Sequence, residues 1–189
     1  MTPHLDAPSR VAIAAILDSA QAQGVPTDPL WDKVREGLAR GADNARIVAV
    51  VRGLSSDLAN AQRALGANAS ADEIKAGAYA LRAGVSQVEL GKMKKEGGKG
   101  RSWAYPLAVL TDMVSRGVPV GTAANAIRSL VGAGAKDKDI NDFQRNVKVD
   151  IEQGAPPAAA AETRAKGATK SDKPDKPEKT EKQPEQVEL

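Results

Sequence analysis

The residues best suited by type to do chemistry fall in one ten-residue stretch, Lys92-Met93-Lys94-Lys95-Glu96-Gly97-Gly98-Lys99-Gly100-Arg101, with Trp103 and Tyr105 just beyond it. Glycines let backbone amides approach an anion, the cations Lys92, Lys94, Lys95, Lys99 and Arg101 would neutralise it, and an aromatic ring could stack on a base. That makes the segment a candidate anion-binding loop. The plainer reading, and the favoured one, is a solvated connection between two helices with Trp103 and Tyr105 turned inward. The stretch does not follow the nucleotide P-loop pattern. Gly91 is followed five residues later by Glu96, where that motif needs a second glycine ahead of Lys and Ser or Thr.

Other candidates are weaker. His4 has no metal-binding or proton-accepting partner at helical spacing and sits in an N-terminal segment with Pro3 and Asp6. Asp28 with Asp32, and Asp139 with Asp142, stand at helical neighbour spacing. Their companions Lys33, Arg35, Lys138 and Arg145 make them charged helix faces rather than an acid/base pair. Trp31 and Trp103 are the largest side chains available. At an interface either would be a partner anchor, but in a chain so poor in aromatics both are expected to be core plugs, as are Tyr79 and Phe143.

Composition sets the limits. The chain has 189 residues, no Cys, one His and five aromatics, which rules out a disulfide framework, a thiolate nucleophile, a Cys-ligated zinc site and a His-rich metal cluster. No nucleophile–base pair can be assembled, so the expectation is a protein that is not an enzyme and takes no cofactor or metal. Of the 41% hydrophobic residues nearly half are alanine, 34 in all, so the core is expected to be thin and helical. The net charge of +3 resides entirely in residues 92–101, where five cations face one acid; the rest is balanced or slightly acidic.

The elements that must position these residues announce themselves through one recurring device. A helical stretch ends in Gly followed by Val or Ala, and another apolar-periodic stretch begins within about five residues: Gly24-Val25-Pro26, Gly41-Ala42, Gly84-Val85, Gly117-Val118-Pro119 and Gly134-Ala135. Glycine suits the left-handed residue that ends a helix, and the apolar residue after it packs back on the last turn. Repeated five times, this predicts helical hairpins. Start signals agree: Asp28-Pro29 reads as a cap followed by Pro, and Ser70 with Glu73, and Ser86 with Glu89, read as capping boxes. Helices are predicted over 8–23, 29–40, 44–65, 71–83, 87–96, 105–116, 119–132 and 137–153. The glycines are unevenly spaced, so the fold class is all-α, an irregular array of stacked helical hairpins of about eight helices, without a strict repeat.

The boundaries follow. Residues 1–7 are a flexible N-terminus, 8–154 the helical domain, 155–166 a short helix or linker, and 167–189 a Lys/Pro/Glu-rich tail. In the tail Lys170, Lys173, Lys176, Lys179 and Lys182 recur every third residue among prolines and acids, a composition expected to be disordered. The apolar run Val11 to Leu17 is too short to span a bilayer and lacks the flanks of an export signal, so the chain as written is expected to be soluble and cytoplasmic, without membrane insertion.

The stretches Gly24-Val25-Pro26-Thr27-Asp28-Pro29-Leu30, Lys33 to Gly41, Arg46 to Arg52 and Pro106 to Pro119 resemble an uncharacterised family of bacterial α-helical proteins. The resemblance covers most of residues 15–160. Members of that family usually carry an export signal and a Pro- or Gly-rich tail, which implies a periplasmic or secreted location, and no activity is attached to them. The resemblance therefore assigns no site residues. The functional expectation is an interaction or scaffold module for another protein, with the charged tail as a spacer. Binding of nucleic acid or another anionic polymer through Lys92 to Arg101 is the alternative.

Overall fold

The computed structural model describes residues 4–96 and 100–170, with side chains as far as 168. Among the described residues are nine helices and no strand: α1 (Ala7–Ala22), α2 (Asp28–Ala39), α3 (Asn44–Leu65), α4 (Ala71–Arg82), α5 (Gln87–Glu96), α6 (Ala104–Ser115), α7 (Val120–Gly132), α8 (Asp137–Glu152) and α9 (Pro157–Lys170). The fold is the expected array of helical hairpins.

The five predicted glycine stops all adopt a left-handed backbone, with φ between +65° at Gly41 and +102° at Gly84, and Gly154 joins them at +95°. At each, the residue after the glycine donates its N–H to a carbonyl five residues back, as Val25 does to Ala20 at 2.9 Å and Val118 to Met113 at 3.1 Å. Val25, Val85, Val118 and Ala135 are buried, so every stop folds an apolar side chain onto the core it has just left.

Helices two apart in the chain pack side by side. The series α1, α3, α5, α7 and α9 forms one row and α4, α6 and α8 a second, with α2 resting on α3 and with α3–α4, α6–α7 and α8–α9 joining the rows. This is the stacking logic of a helical solenoid, in which each hairpin buries its apolar face against the next. Between the rows lie fully buried Leu30, Leu54, Leu58, Leu90, Leu107, Leu110 and Ile127. The small residues set the spacing. A Cβ at Gly77 of α4 would stand 3.0 Å from Leu65 Cδ1 and 3.1 Å from Ala61 Cβ, so α4 lies close enough to α3 that even a methyl group there would push its neighbours by a few tenths of an ångström.

Three sequence expectations are corrected. Leu5 is buried and the Asp6 carboxylate accepts from the Ser9 N–H at 2.8 Å, so the described part of the supposedly flexible segment 1–7 is the cap of α1. The start of α2 falls one residue earlier than predicted, with Thr27 rather than Asp28 in the cap position. Of the two readings of 155–166, short helix or linker, the structure has the helix, and α9 runs on through Gly167 to Lys170, into the first residues of the stretch 167–189 expected to be disordered; alanine favours the helix, and Ala160, Ala161 and Ala165 are buried where α9 packs on α7 and α8. The expected disorder of 171–189 lies outside the described residues, as do residues 1–3.

The array has no strict repeat, but one long-range spacing recurs in it. A shift of 93 residues carries Gly24-Val25-Pro26 onto Gly117-Val118-Pro119 and Gly41-Ala42 onto Gly134-Ala135, and it carries Leu17, Arg35, Ile47, Arg52 and Asp57 onto Leu110, Arg128, Ile140, Arg145 and Asp150. The same shift lays α2 on α7, the start of α3 on the start of α8, and the end of α1 on the end of α6. The sequence pattern of α1–α2–α3 therefore recurs in α6–α7–α8, but the packing does not follow it throughout: α2 rests on α3, whereas α7 rests on α6 and α9.

Candidate functional site

The basic segment is split between two environments. Lys92 to Glu96 belong to α5, and Lys99 lies outside the described residues. Lys94 places its ammonium 2.6 Å from Glu73 Oε1 on α4. Arg101 donates to Asp137 Oδ1 at 2.9 Å and, through its other guanidinium nitrogen, to the Ala135 carbonyl at the start of α8. Lys92 and Lys95 are exposed on α5. Two of the five cations, Lys94 and Arg101, are thus turned to different helices as internal ties.

Glu73 is the centre of this junction. It is the third residue of α4, and its side chain is only 5% exposed. One carboxylate oxygen accepts from the Ser70 N–H at 3.0 Å, completing the predicted capping box, while the other accepts from Lys94 and from the Trp103 N–H at 2.8 Å. Burial alone would push its pKa up, but the bonds from Lys94 and from the Ser70 and Trp103 amides outweigh it and hold the carboxyl below its ordinary value. One buried charge therefore fixes α4, α5 and the entrance to α6. Trp103, 1% exposed, is a core plug as the sequence reading favoured, which removes it as a partner anchor; its indole N–H finds no acceptor among the described residues.

Trp31 is the opposite case and corrects the core assignment made for it. It is 44% exposed, on the first turn of α2, and lines an open groove of about 600 Å³ between α1 and α2. Ile13, Ala14 and Leu17 of α1 and Val34 and Leu38 of α2 form the apolar floor and walls, with Arg10, Asp18 and Gln21 among the polar lining. Residues 10, 14, 17 and 21 form one helical stripe, and 31, 34 and 38 another. This face is the outer side of the first hairpin of the stack, where no described helix follows. Its lining is mostly apolar and is built by two helices.

The remaining candidates are surface pairs. Asp142 is held by Lys138 at 3.0 Å and Arg145 at 3.2 Å, and these cations keep its carboxyl below the usual range. Asp32 pairs with Arg35 at 2.6 Å, and Asp139 accepts from the Lys136 N–H at 2.8 Å. Phe143 is buried as predicted, Tyr79 only half so, and the Tyr105 hydroxyl donates to Asn141 Oδ1 at 3.0 Å. His4 lies at the mouth of the α1–α2 groove. Among the described residues no cluster of three His, Asp or Glu stands ready to hold a metal, and no helix is long and apolar enough to cross a membrane.

The groove was missed because its walls read as ordinary amphipathic helices one at a time. The 93-residue shift aligns Trp31 with an alanine, Ala124, but that Ala124 is buried, at 2% exposure, and Trp31 is not follows from contacts between helices and is not written in the sequence. Compared with models of protein families, with curated proteins and with solved structures, the chain matches none, so its function is argued from this geometry.

Proposed function

We propose that the protein is a non-enzymatic interaction module whose docking surface is the outer face of the α1–α2 hairpin. The observation that carries this reading is the open apolar groove with Trp31 at its edge. In a stacked array each apolar hairpin face is covered by the next hairpin, and an end face is ordinarily polar. This end is not. An exposed tryptophan beside a concave apolar floor has the make-up of a protein-binding hot spot, where a few large side chains carry most of the affinity. The charged 171–189 segment at the other end of the chain fits a spacer role, and the resemblance to bacterial proteins with export signals fits a role in the cell envelope.

Binding of nucleic acid has less behind it, since Lys94 and Arg101 are already committed to Glu73 and Asp137. The test is a native pull-down from the source cell with wild type and with Trp31→Ala. A partner recovered by wild type and lost with the variant supports the reading; recovery of nothing, or recovery indifferent to Trp31, overturns it.

A further inference from the structure

Outside residues 92–101 charge is nearly balanced by count, but the fold does not balance it by place. Of the twelve arginines, eight stand beside a carboxylate, as Arg82 does with Asp57 and Arg164 with Asp150. Among the described residues, Arg10, Arg46, Arg52 and Arg63 have no carboxylate within 4 Å, and the last three all belong to α3, exposed. That helix carries a single acid, Asp57, and Arg82 of α4 holds it at 2.6 Å. Arg63 donates only along its own helix, to Asn60 Oδ1 and, at 3.4 Å, to the Ala59 carbonyl.

Two of these arginines mark the ends of a groove. An open depression of about 530 Å³ runs between α1 and α3, on the side of α1 turned away from Trp31. The Gln62 amide of α3 donates to the Gly24 carbonyl at 3.2 Å, so the C-terminal ends of the two helices adjoin and the lining stripes, 12–23 and 52–63, run in step. The lining is small or apolar, with Ala12, Ala15, Ile16 and Ala59 among serine hydroxyls, and contains no carboxylate. Its charges are Arg52 and Arg63 alone, eleven residues and about 16 Å of helix axis apart.

We propose that the α1–α3 groove binds an acidic helix of another protein, whose carboxylates, about three turns apart, meet Arg52 and Arg63. The charge sets the sign of the partner: its carboxylates reach two guanidiniums that have none, so no existing ion pair is broken. The lining sets its form. Where two helices running in step meet a third through alanine and serine, the third can settle at the ordinary interaxial distance of about 8–10 Å. Nucleic acid fits less well, because two cations neutralise few phosphates and the groove has no ring on which a base could stack. This surface is separate from the Trp31 groove and does not depend on the role proposed for it.

The probe is a fluorescein-labelled helical peptide of alanine and glutamine with two glutamate pairs centred eleven residues apart, the spacing of Arg52 and Arg63, titrated with the full chain and read by anisotropy. The expected result is saturable binding that weakens with salt and falls about tenfold or more when Arg52→Glu and Arg63→Glu are combined. Arg52→Gln with Arg63→Gln, which removes the charges without reversing them, should give a smaller loss in the same direction. Arg145→Glu, on α8, should change affinity less than about twofold, and moving the glutamate pairs into adjacent turns of the peptide should weaken binding severalfold. Absence of saturable binding, an equal loss from Arg145→Glu, or indifference to the glutamate spacing would overturn the proposal. So would duplex DNA that binds more tightly than the peptide and is lost with the same variants, because the groove would then serve phosphates.

Discussion

The two stretches that share the 93-residue spacing, α1–α3 and α6–α8, are alike in their turns and unlike in their packing. Their turns are alike: Gly24 and Gly117, and Gly41 and Gly134, share left-handed backbones and the same i to i−5 hydrogen bond after them. Their faces are not alike in circumstance. On the second stretch a hairpin is stacked, Trp103 is 1% exposed and Arg128 spans two helices; on the first, Trp31 is 44% exposed and Arg35 reaches only along its own helix. Glycine turns therefore set the path of the chain, whereas what lies against each face decides whether its large side chains are core or surface. The same kind of residue, tryptophan, serves as a plug in one stretch and is offered outward in the other.

Substitution should separate the two faces sharply. Trp103→Ala, which empties a packed site, should lower unfolding stability by about 3–5 kcal/mol in urea titration, whereas Trp31→Ala should stay within about 1 kcal/mol of wild type. Comparable losses would erase the distinction between plug and docking residue.

Glu73 gives the next effect. Its folded pKa is depressed, so its contribution is complete above the ordinary glutamate value and is lost as pH falls through and below that range. Glu73→Gln should destabilise the protein at neutral pH, by about 1–3 kcal/mol for the bonds it weakens, and should flatten the acid limb of stability between about pH 5 and 3. An unchanged acid limb would mean that the carboxylate does not hold α4, α5 and α6 together.

Arg128→Glu should cost on the order of 1 kcal/mol by opposing Glu89 and Glu96, while Arg35→Glu, with nothing stacked upon it, should leave thermal unfolding of the isolated chain unmoved. Equal effects would place the two arginines in equivalent environments and contradict the bare face. The smallest expected signal is with nucleic acid: titration with duplex DNA at low and moderate salt should show no salt-sensitive binding, since Lys94 and Arg101 are engaged internally.

Much of this fold was legible in the sequence, because its instructions are local. Gly followed by Val or Ala stops a helix wherever it stands, and Ser70 with Glu73 starts one, so eight helices fell within a residue or two of their places. The ninth was legible only as a short helix or linker after Pro156 and Pro157, and its extension through Gly167 to Lys170 was not, because glycine and the lysines there read as tail. The docking face was not legible, because burial belongs to contacts between distant helices. Nothing near Trp31 in the chain distinguishes it from Trp103; the difference is that Trp103 meets α4, thirty residues back, and Trp31 meets no described helix beyond its own hairpin. Likewise Lys94 reads as one cation among five until Glu73 is folded against it.

The most direct test of the bare face is photo-crosslinking in the source cell from p-benzoylphenylalanine placed at position 31, compared with the same group at position 145 on the exposed side of α8. The prediction is one dominant adduct from position 31, absent from position 145, joined to another protein. No adduct from position 31, or the same adducts from both positions, would contradict it.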